Sequence, residues 1–429
     1  MNAPGAGRHA GNPGEAALNF AKQHDNVNYV QHSLPAMTAC ALAPARDPDT
    51  DTDLPLAAAL DQLQHTLAAL GPLTFPGDTT DNQRYLPRML SDQPGANVGW
   101  TTGFWTGQLW LAHALTGEPA LRQAAALQTA SFVKRQQLGV DLDHHDLGFL
   151  YLLSCAAASH LTGDAAAHAA TLGAARRLLA RFLPGAGVIQ SWGSMDDAGQ
   201  RGRVIIDGIM NLPLLHWAAR ATGEAAYTAA AQRHLQRTRV HLVRPDGATY
   251  HTYHFDADTG APLRPSTHQG LADDSCWARG QAWGIYGFAL NHRHLPAMGL
   301  LDDAMRVADY FLARLPPDRI ALWDLSLAHD SGEPRDSSAC AIAACGLLEI
   351  ADRLPAGARS RHYRQAGLDL LAALTRHCAG RRPACDGLLR HGVYHRAANL
   401  GVDEATVWGD YYYLEALARA GGHWTPAQL

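Results

Sequence analysis

Residues 109–130 read LWLAHALTGEPALRQAAALQTA, and this stretch decides the predicted fold. An apolar-periodic run reaches Thr116 and Gly117, and Glu118 then begins a second, alanine-rich run. Glycine ends a helix readily because it adopts the left-handed conformation without a steric penalty. An acidic residue suits the positive N-terminal end of the helix that follows. The stretch therefore predicts two helices joined by a tight turn.

The same pattern recurs at residues 149–172, FLYLLSCAAASHLTGDAAAHAATL, and at residues 214–235, LLHWAARATGEAAYTAAAQRHL. The glycine and acid pairs are Gly163 with Asp164 and Gly223 with Glu224. Repeated helical pairs are typical of a solenoid or a closed toroid. Long loops at 184–204 and 243–275, with HGVYHRA and GATYHTYHFDADTGAPL as candidate hairpins, favour a closed barrel that carries functional loops.

We therefore predict a single all-α toroid over residues 55–429 and a poorly ordered or loosely packed leader over residues 1–54. The chain has 429 residues, 47% of them hydrophobic, and a net charge of −5, so it lacks the basic surface of a nucleic-acid-binding protein. It shows no apolar run long enough for a membrane span and no secretory signal. Seven cysteines without C-x-x-C spacing indicate reduced thiols and a cytoplasmic protein.

The stretch HHDLGFLY, residues 144–151, places two histidines and Asp146 before an apolar run. Asp146 could cap the helix that starts there, because aspartate is a favoured N-cap residue. A metal site is disfavoured, since no H-E-x-x-H motif or second His/Cys cluster completes a ligand set. Half of an acid–base pair is the third interpretation.

A second acid, Asp207, stands at a similar junction in GRVIIDGIMNLPLLHWAA. It follows three β-branched apolar residues, and apolar surroundings favour the protonated form of a carboxyl group. A raised pKa would let Asp207 act as a general acid near neutral pH. Capping of the next helix is the alternative. If both helices line a toroid, the two acids face one cavity.

Aromatic and polar side chains are concentrated around these acids, which is what a sugar pocket requires because a pyranose has an apolar face and a rim of hydroxyls. The pocket candidates are Trp100, Trp192, Trp277 and Trp283, and the tryptophans predicted to be structural are Trp105, Trp110 and Trp217. Arg279 is the candidate for holding an anionic group, since a guanidinium grips a carboxylate with two parallel hydrogen bonds. Its alternative is a structural salt bridge to Asp273 or Asp274.

Together these motifs resemble the unsaturated glucuronyl hydrolases of glycoside hydrolase family 88. The matching strings run in order from about residue 97 to 418: GFWTGQLWLAHALTG, HHDLGFLYLLS, GRVIIDGIMNLPLLHWAARATG, YHTYHFD, THQG, SCWARGQAWGIYGFAL, RDSSACAIAACGLLEIA and WGDYYYLEAL. The resemblance implies an (α/α)6 barrel of six helical hairpins. It also implies removal of a 4-deoxy-hex-4-enuronic acid from the non-reducing end of lyase-generated oligosaccharides, by hydration of the C4=C5 double bond and without metal or cofactor.

The resemblance further assigns roles residue by residue. Asp207 is similar to the family's general acid, and Asp146 to its second essential carboxylate. The residues similar to the family's pocket lining are Trp100, His145, Trp192, His251, Gln269, Trp277, Arg279 and Trp283. An unsaturated rhamnogalacturonyl hydrolase is the nearest alternative, and a sugar epimerase or a non-catalytic sugar-binding protein on the same kind of barrel is a more distant one.

Overall fold

The computed structural model describes residues 52–90 and 93–424. The predicted leader lies almost wholly outside these ranges. The first helix of the described residues, α1 (Asp53–Leu70), begins two residues before the predicted boundary. None of the helices within the described ranges has the length and hydropathy needed to cross a bilayer. Six of the seven cysteines fall in the described part of the chain, where all six are free and buried.

The described chain alternates between helices that are buried on nearly all sides and helices that are buried on one face. The inner positions are occupied by α2 (Thr102–Thr116), α4 and α5 (Leu147–Tyr151, Ala157–Thr162), α7 and α8 (Gly208–Asn211, Pro213–Thr222), α10 (Ala278–His292), α12 (Ser337–Arg353) and α14 (Val407–Ala420). The outer positions are occupied by α1 (Asp53–Leu70), α3 (Pro119–Leu138), α6 (Ala165–Ala180), α9 (Ala225–His241), α11 (Leu300–Ala313) and α13 (Ala358–His377).

Burial explains this division into two layers. Fifteen of the seventeen residues of α12 are buried, and its run SSACAIAACGLLEIA is apolar or small at every position except Glu349. The outer helix α9 buries six of its seventeen residues. Each inner helix contacts the next, and α14 packs back against α2, so the inner ring closes. The architecture is an (α/α)6 barrel, as the repeated hairpin pattern predicted.

The Thr-Gly turns adopt the predicted conformation. Gly117, Gly163 and Gly223 end their helices with φ values of +74°, +73° and +75°. Asp164 caps α6 by accepting hydrogen bonds from the main-chain N–H groups of Ala166 and Ala167, at 2.8 and 3.0 Å. The equivalent residues before α3 and α9, Glu118 and Glu224, make no side-chain capping bond within the described chain.

Short strands in the connecting loops form the mouth of the barrel. Strands β5 (Arg203–Ile205), β6 (Thr252–Phe255) and β7 (Pro262–Ser266) make a three-stranded antiparallel sheet. Strands β8 (Gly392–His395) and β9 (Leu400–Glu404) make a hairpin. Two minimal hairpins are formed by β1 (Met89–Leu90) with β2 (Gln93–Pro94), and by β3 (Phe182–Leu183) with β4 (Val188–Ile189). Both predicted hairpins are present, and β5 extends one of them.

The second inner helix is interrupted, which the sequence did not predict. Five residues of α4 are followed by a π-helical turn at Leu152–Ala156, and α5 then completes the element. A π-turn contains one residue more than the α-helical turn it replaces, and such turns occur frequently near functional sites. The interruption lies six residues after Asp146.

The far end of the barrel, where the inner helices end, is held by buried ion pairs. Arg419 donates hydrogen bonds to Tyr286 Oη at 3.0 Å and to Glu349 Oε2 at 2.8 Å. Arg293 contacts the same Glu349 through two nitrogens, each at 2.6 Å. A cavity of about 640 Å³ opens among these helix ends, with Phe149 on its inner wall, and neither Asp146 nor Asp207 lines it. The catalytic candidates therefore belong to the opposite end.

Candidate active site

Asp146 and Asp207 each stand immediately before an inner helix, at the end of the barrel where those helices begin. Asp146 precedes α4 and Asp207 precedes α7, so both occupy the N-cap position. Neither side chain forms a capping hydrogen bond within the described residues, so the capping interpretation is wrong for both. Both side chains keep a small exposed fraction, 15% for Asp146 and 14% for Asp207.

Main-chain pairing in the loops brings the neighbouring residues to the acids. His144 forms an antiparallel bridge with Trp192, and the His145 N–H donates to the Ser191 carbonyl at 2.7 Å. Next to Asp207, the Ile206 N–H donates to the carbonyl of His251 at 3.0 Å. The loop sheet thus places His251 beside one acid, and the bridge places Trp192 beside the other.

His145 links the two acids. Its Nε2 lies 3.3 Å from Asp146 Oδ1 and 3.5 Å from Asp207 Oδ1. The His144 Nδ1 lies 3.3 Å from the other oxygen of Asp146. The two predicted carboxylates and the histidine between them therefore form one compact group.

The two carboxyl groups have opposite pKa shifts. Burial raises the pKa of Asp207 well above its ordinary value, and the charge of Asp146 raises it further, although Arg279 opposes the shift. Burial disfavours ionisation of Asp146 as well, but the imidazoles of His145 and His144 outweigh it and lower that pKa. Two like charges this close do not both ionise readily, so Asp207 retains a proton while Asp146 is ionised.

Two of the histidines near the acids, His145 and His251, are neutral near pH 7. Burial lowers the pKa of His145 to about 4, and it lowers the pKa of His251 well below its ordinary value, with His268 contributing next. The His251 Nδ1 accepts from the main-chain N–H groups of His268 and Gln269, at 3.1 and 3.3 Å. A neutral imidazole carries one proton, so that of His251 is on Nε2.

Aromatic rings and a tyrosine connect the remaining pocket candidates. Trp100 donates from Nε1 to Tyr394 Oη at 3.1 Å, and the Gln269 side chain donates to the Tyr394 carbonyl at 2.9 Å. Trp100 and Trp192 are half-buried and keep ring surface that a sugar could cover. Arg203 lies 4.6 Å above the ring centroid of Trp192.

Trp277 and Trp283 lie deeper than a stacking platform requires. Their exposed fractions are 4% and 1%. The ring of His251 packs 4.4 Å from Trp277, and Phe149 packs 5.2 Å from Trp283. We therefore place both behind the pocket surface, where they support the residues that line it.

Arg279 differs from its predicted arrangement. Its ion-pair partner is Asp336 at 3.4 Å, not Asp273 or Asp274. The same terminal nitrogen also donates to the carbonyl of Val393, and the other donates to the carbonyl of Tyr394 at 2.9 Å. The guanidinium is 1% exposed and lies 4.4 and 4.9 Å from the ring centroids of Trp277 and Trp408. These contacts support a structural role for Arg279, and its clamp on a substrate carboxylate stays a prediction.

Three residues of this region were missed from the sequence. Tyr394 joins Trp100, Gln269 and Arg279, Trp408 stacks on Trp100 at 5.2 Å, and Asp336 pairs with Arg279. Tyr394 had been assigned only to a loop hairpin, and Trp408 was part of a matching motif but was not singled out. Nothing local in the sequence separates Tyr394 and Trp408 from core residues, because the partners named here lie more than a hundred positions away, and Asp336 lies 57 positions from Arg279.

The same group of side chains also has distances that would admit a cation. One ligand atom from each of His145, Asp146 and Asp207 lies within 4.8 Å of the other two. Binding of a metal requires ionised carboxylates, and the raised pKa of Asp207 opposes this. The expectation of a site without metal or cofactor stays a prediction.

Comparison with known proteins places these features in a family. The sequence model of Glycosyl Hydrolase Family 88 matches residues 79–418, which include both acids and all eight other site candidates. An unsaturated glucuronyl hydrolase of Bacillus sp. (strain GL1) is 45% identical over 356 residues, covering 82% of this chain and 93% of that protein. An unsaturated chondroitin disaccharide hydrolase of Streptococcus pneumoniae (strain ATCC BAA-255 / R6) is 43% identical over 330 residues, covering 76% and 83%.

The folds agree as well as the sequences. The crystal structure of the unsaturated glucuronyl hydrolase from Bacillus sp. GL1, described as responsible for the degradation of glycosaminoglycan, superimposes with a TM-score of 0.81. The aligned residues are 42% identical and cover 86% of this chain and 96% of the other. The similarity therefore extends over the whole barrel and is not restricted to the neighbourhood of the two acids.

Proposed function

Because this chain belongs to Glycosyl Hydrolase Family 88, we propose that it removes a 4-deoxy-hex-4-enuronic acid from the non-reducing end of an oligosaccharide, with Asp207 as the general acid. The unsaturated glucuronyl hydrolase activity follows from relatives above 40% identity over three quarters or more of the chain. The roles of individual residues rest on the site's geometry. The observation that carries them is the pair of carboxyl groups around His145 Nε2, whose pKa values are shifted in opposite directions.

The chemistry begins with proton transfer to the double bond. The C4=C5 bond of the substrate belongs to an enol ether, so its electron pair takes the Asp207 proton at C4 and leaves an oxocarbenium-like centre at C5. The Asp207 carboxylate then accepts a proton from water as the water oxygen bonds to C5. The product of this hydration is a hemiketal, and Asp207 has regained its proton.

Loss of the sugar follows without a second catalytic group. The hemiketal opens by breaking the bond between C5 and the ring oxygen, which leaves a ketone at C5 and a hemiacetal at C1. The hemiacetal decomposes to an aldehyde and the free alcohol of the remaining sugar. One water molecule is consumed in total, and no carboxylate attacks the anomeric carbon.

The arrangement of the acids fits this scheme better than inversion at the anomeric carbon. An inverting glycosidase separates its two carboxyl groups by about 6.5–9.5 Å to admit a water molecule between them. Here one oxygen of each acid lies within 4.8 Å of the other. Asp146, ionised and half of a shared site, stabilises positive charge at C5 and accepts hydrogen bonds from sugar hydroxyls.

The finer features of the substrate also belong to this proposal. We expect unsaturated disaccharides to be accepted, and unsulfated ones to be preferred. Arg396 follows strand β8, and its guanidinium is already paired with Glu333 at 2.9 Å, so it contributes little charge for binding a sulfate group. A cytoplasmic location is part of the same proposal and is supported by the free, buried cysteines of the described chain.

Substitution of Asp207 tests the proposed acid. Asp207→Asn preserves the shape but cannot donate a carboxyl proton, so the rate should fall by about 10²–10⁴-fold or more. The measurement is the loss of ultraviolet absorbance of the conjugated enol-ether acid, on a panel of unsulfated and sulfated lyase products and on unsaturated rhamnogalacturonyl products. Binding or epimerisation would leave this absorbance unchanged.

A matched control is available in Asp410, which also lies at the start of an inner helix. Burial raises the pKa of Asp410 to about 7, but this side chain is bonded to Tyr85 Oη and to the Leu389 N–H, both at 2.9 Å. Asp410→Asn should change stability and leave turnover within about tenfold of the parent. Retention of more than a tenth of the parent activity by Asp207→Asn would remove Asp207 from its role.

A further inference from the structure

A second buried histidine lies behind His145. His234 belongs to the outer helix α9 and is 1% exposed. Its Nδ1 accepts a hydrogen bond from the Ile189 N–H at 3.0 Å. An accepting Nδ1 carries no proton, and burial, followed by the neighbouring His145, lowers the pKa of His234 to about 3. The neutral ring therefore has its proton on Nε2.

The Nε2 of His234 and the unused nitrogen of His145 both lie beside Gly208. Within the described chain, neither His234 Nε2 nor His145 Nδ1 has a hydrogen-bond partner, although both are buried. Each lies 3.2 Å from the point that a β-carbon on Gly208 would occupy. The two nitrogens therefore border one small space, beside the residue that follows Asp207.

We propose that His234 is a positioning residue, which donates from Nε2–H through one bridging water molecule to His145 Nδ1 and so keeps the His145 proton on Nε2 between the two aspartates. This inference rests on the proposed function. Its starting point is the Ile189 main-chain N–H, which cannot change its role as a donor. The direction of donation is then fixed from strand β4 through His234 and His145 to the acids.

The opposite tautomer of His145, with its proton on Nδ1, would be unfavourable at both ring nitrogens. Its Nδ1–H and the Nε2–H of His234 would then both donate to the bridging water molecule, whose own protons would have no acceptor between the two rings. Its Nε2 lone pair would face the ionised oxygen of Asp146 at 3.3 Å. An unmatched buried donor or acceptor is costly because it has given up its bonds to water. With the proposed tautomer, His145 donates toward Asp146 and supports its ionised state.

Two substitutions at position 234 separate the bond to Ile189 from the bond to His145. In His234→Asn, the side-chain amide can still accept from the Ile189 N–H but ends too early to reach His145. In His234→Gln, the amide can extend to the former position of Nε2 and donate there. We expect kcat to fall about 10–100-fold in the asparagine variant, with KM little changed, and to recover largely in the glutamine variant.

The decisive readout is the protonation of the His145 ring, which can be measured without substrate. In ¹⁵N-histidine-labelled full-length protein at neutral pH, two-bond ¹⁵N–¹H correlation spectra distinguish a protonated ring nitrogen from an unprotonated one. The parent should show Nε2–H for His145 and His234, with signals assigned by the loss of each in a substituted protein. His234→Asn should shift His145 toward Nδ1–H or toward a mixture of tautomers.

Two further variants guard against a purely structural explanation. Gly208→Ala places a methyl group 3.2 Å from both nitrogens and should reproduce the tautomer change from the other side of the gap. His216→Asn alters a buried histidine whose Nε2 lies 3.1 Å from Asn291 Oδ1, so it should lower the melting temperature and leave kcat and the His145 signals unchanged.

An unchanged His145 tautomer in folded His234→Asn would overturn the inference, as would equal losses of kcat in the asparagine and glutamine variants. Either result would leave the proposed function intact, provided that the parent still hydrates the enol ether. Conversely, a parent without hydrolytic activity would contradict the proposed function, while the tautomer measurement would still decide the role of His234.

Discussion

At Asp207 the buried carboxyl group that serves catalysis lowers the stability of the folded state when it ionises. Its folded pKa is raised, so the folded state binds this proton more strongly than the unfolded chain does. The stability that the proton contributes is fully present below the unfolded pKa of about 3.9. It is lost as the pH rises through the folded pKa. Asp207→Asn has no charge to bury, so its melting temperature relative to the parent should increase as the pH rises from 4.

Asp146 should influence activity partly through the pKa of Asp207. Its charge raises that pKa, so Asp146→Asn should lower it and move the alkaline limb of the kcat/KM profile to lower pH, because the general acid then loses its proton sooner. Turnover should fall as well. A helix cap alone would predict little effect, since asparagine caps as well as aspartate.

The control for Asp146 is Asp143, an acid in the same segment. Its side chain is 72% exposed and pairs with Arg181. Asp143→Asn should leave the alkaline limb in place. A pH–rate profile of Asp146→Asn that coincided with that of the parent would contradict the coupling between the two acids.

Arg279→Lys should mainly reduce stability. Lysine keeps the charge but cannot serve Asp336 and the carbonyls of Val393 and Tyr394 together. A buried group left unsatisfied costs about 1–3 kcal/mol. We therefore expect a lower melting temperature with KM little changed, whereas a clamp on the substrate's carboxylate would require KM to rise.

Arg293→Lys is the matched control for Arg279, because it breaks a two-nitrogen contact with Glu349 at the far end of the barrel. It should lower the melting temperature without altering KM or the pH profile. If Arg279→Lys raised KM severalfold at an unchanged melting temperature, the result would support the predicted clamp.

At the scale of helices and strands, local chemistry decides what the sequence can reveal. The helix ends at Gly117 and Gly163 were predictable because the left-handed conformation favours glycine wherever it occurs. The sheet formed by β5, β6 and β7 was predicted only in part, since β5 lies about 50 residues before its partner. The π-turn at Leu152–Ala156 left no mark in the hydrophobic pattern.

The cap at α6 supplies a test at this scale. Asp164→Ala removes two hydrogen bonds to main-chain N–H groups and should cost about 1 kcal/mol of unfolding free energy. Glu118→Ala, at the equivalent position without a capping bond, should lower the free energy of unfolding by only a few tenths as much as Asp164→Ala does. Denaturant titration measures both, and activity should be unchanged, because Asp164 lies on the outer layer. Equal losses in the two variants would show that the capping bonds contribute nothing.

At the scale of the whole molecule, the barrel separates function from support. Asp146 and Asp207 were predictable as a pair because a toroid of parallel inner helices gathers the starts of those helices at one end. The partners of Arg279 were not predictable, because Asp336 and Tyr394 reach it only after the ring closes. The role of His234 was hidden for the same reason, since an outer helix seldom supplies a residue behind a pocket.

The far end of the barrel should affect stability alone. Arg419→Met would leave Glu349 and Glu415 buried without this partner, which is 2.8 and 3.6 Å away. Breaking a buried ion pair in this way costs about 3–5 kcal/mol. Chemical denaturation should show this loss, and kcat of the folded fraction should equal that of the parent. A reduced kcat in folded Arg419→Met would show that the two ends are coupled.

The direction in which the Asp146 side chain points depends on the number of residues in the π-turn that follows it. Each α-helical residue turns the backbone by roughly 100°, so deletion of one residue within Leu152–Ala156 would restore a regular helix and rotate the preceding turn by that angle. Asp146 would then leave the pocket, although every functional side chain was still encoded. A gain or loss of a single codon at this turn is therefore a route by which barrels of this architecture could acquire or lose the second carboxylate.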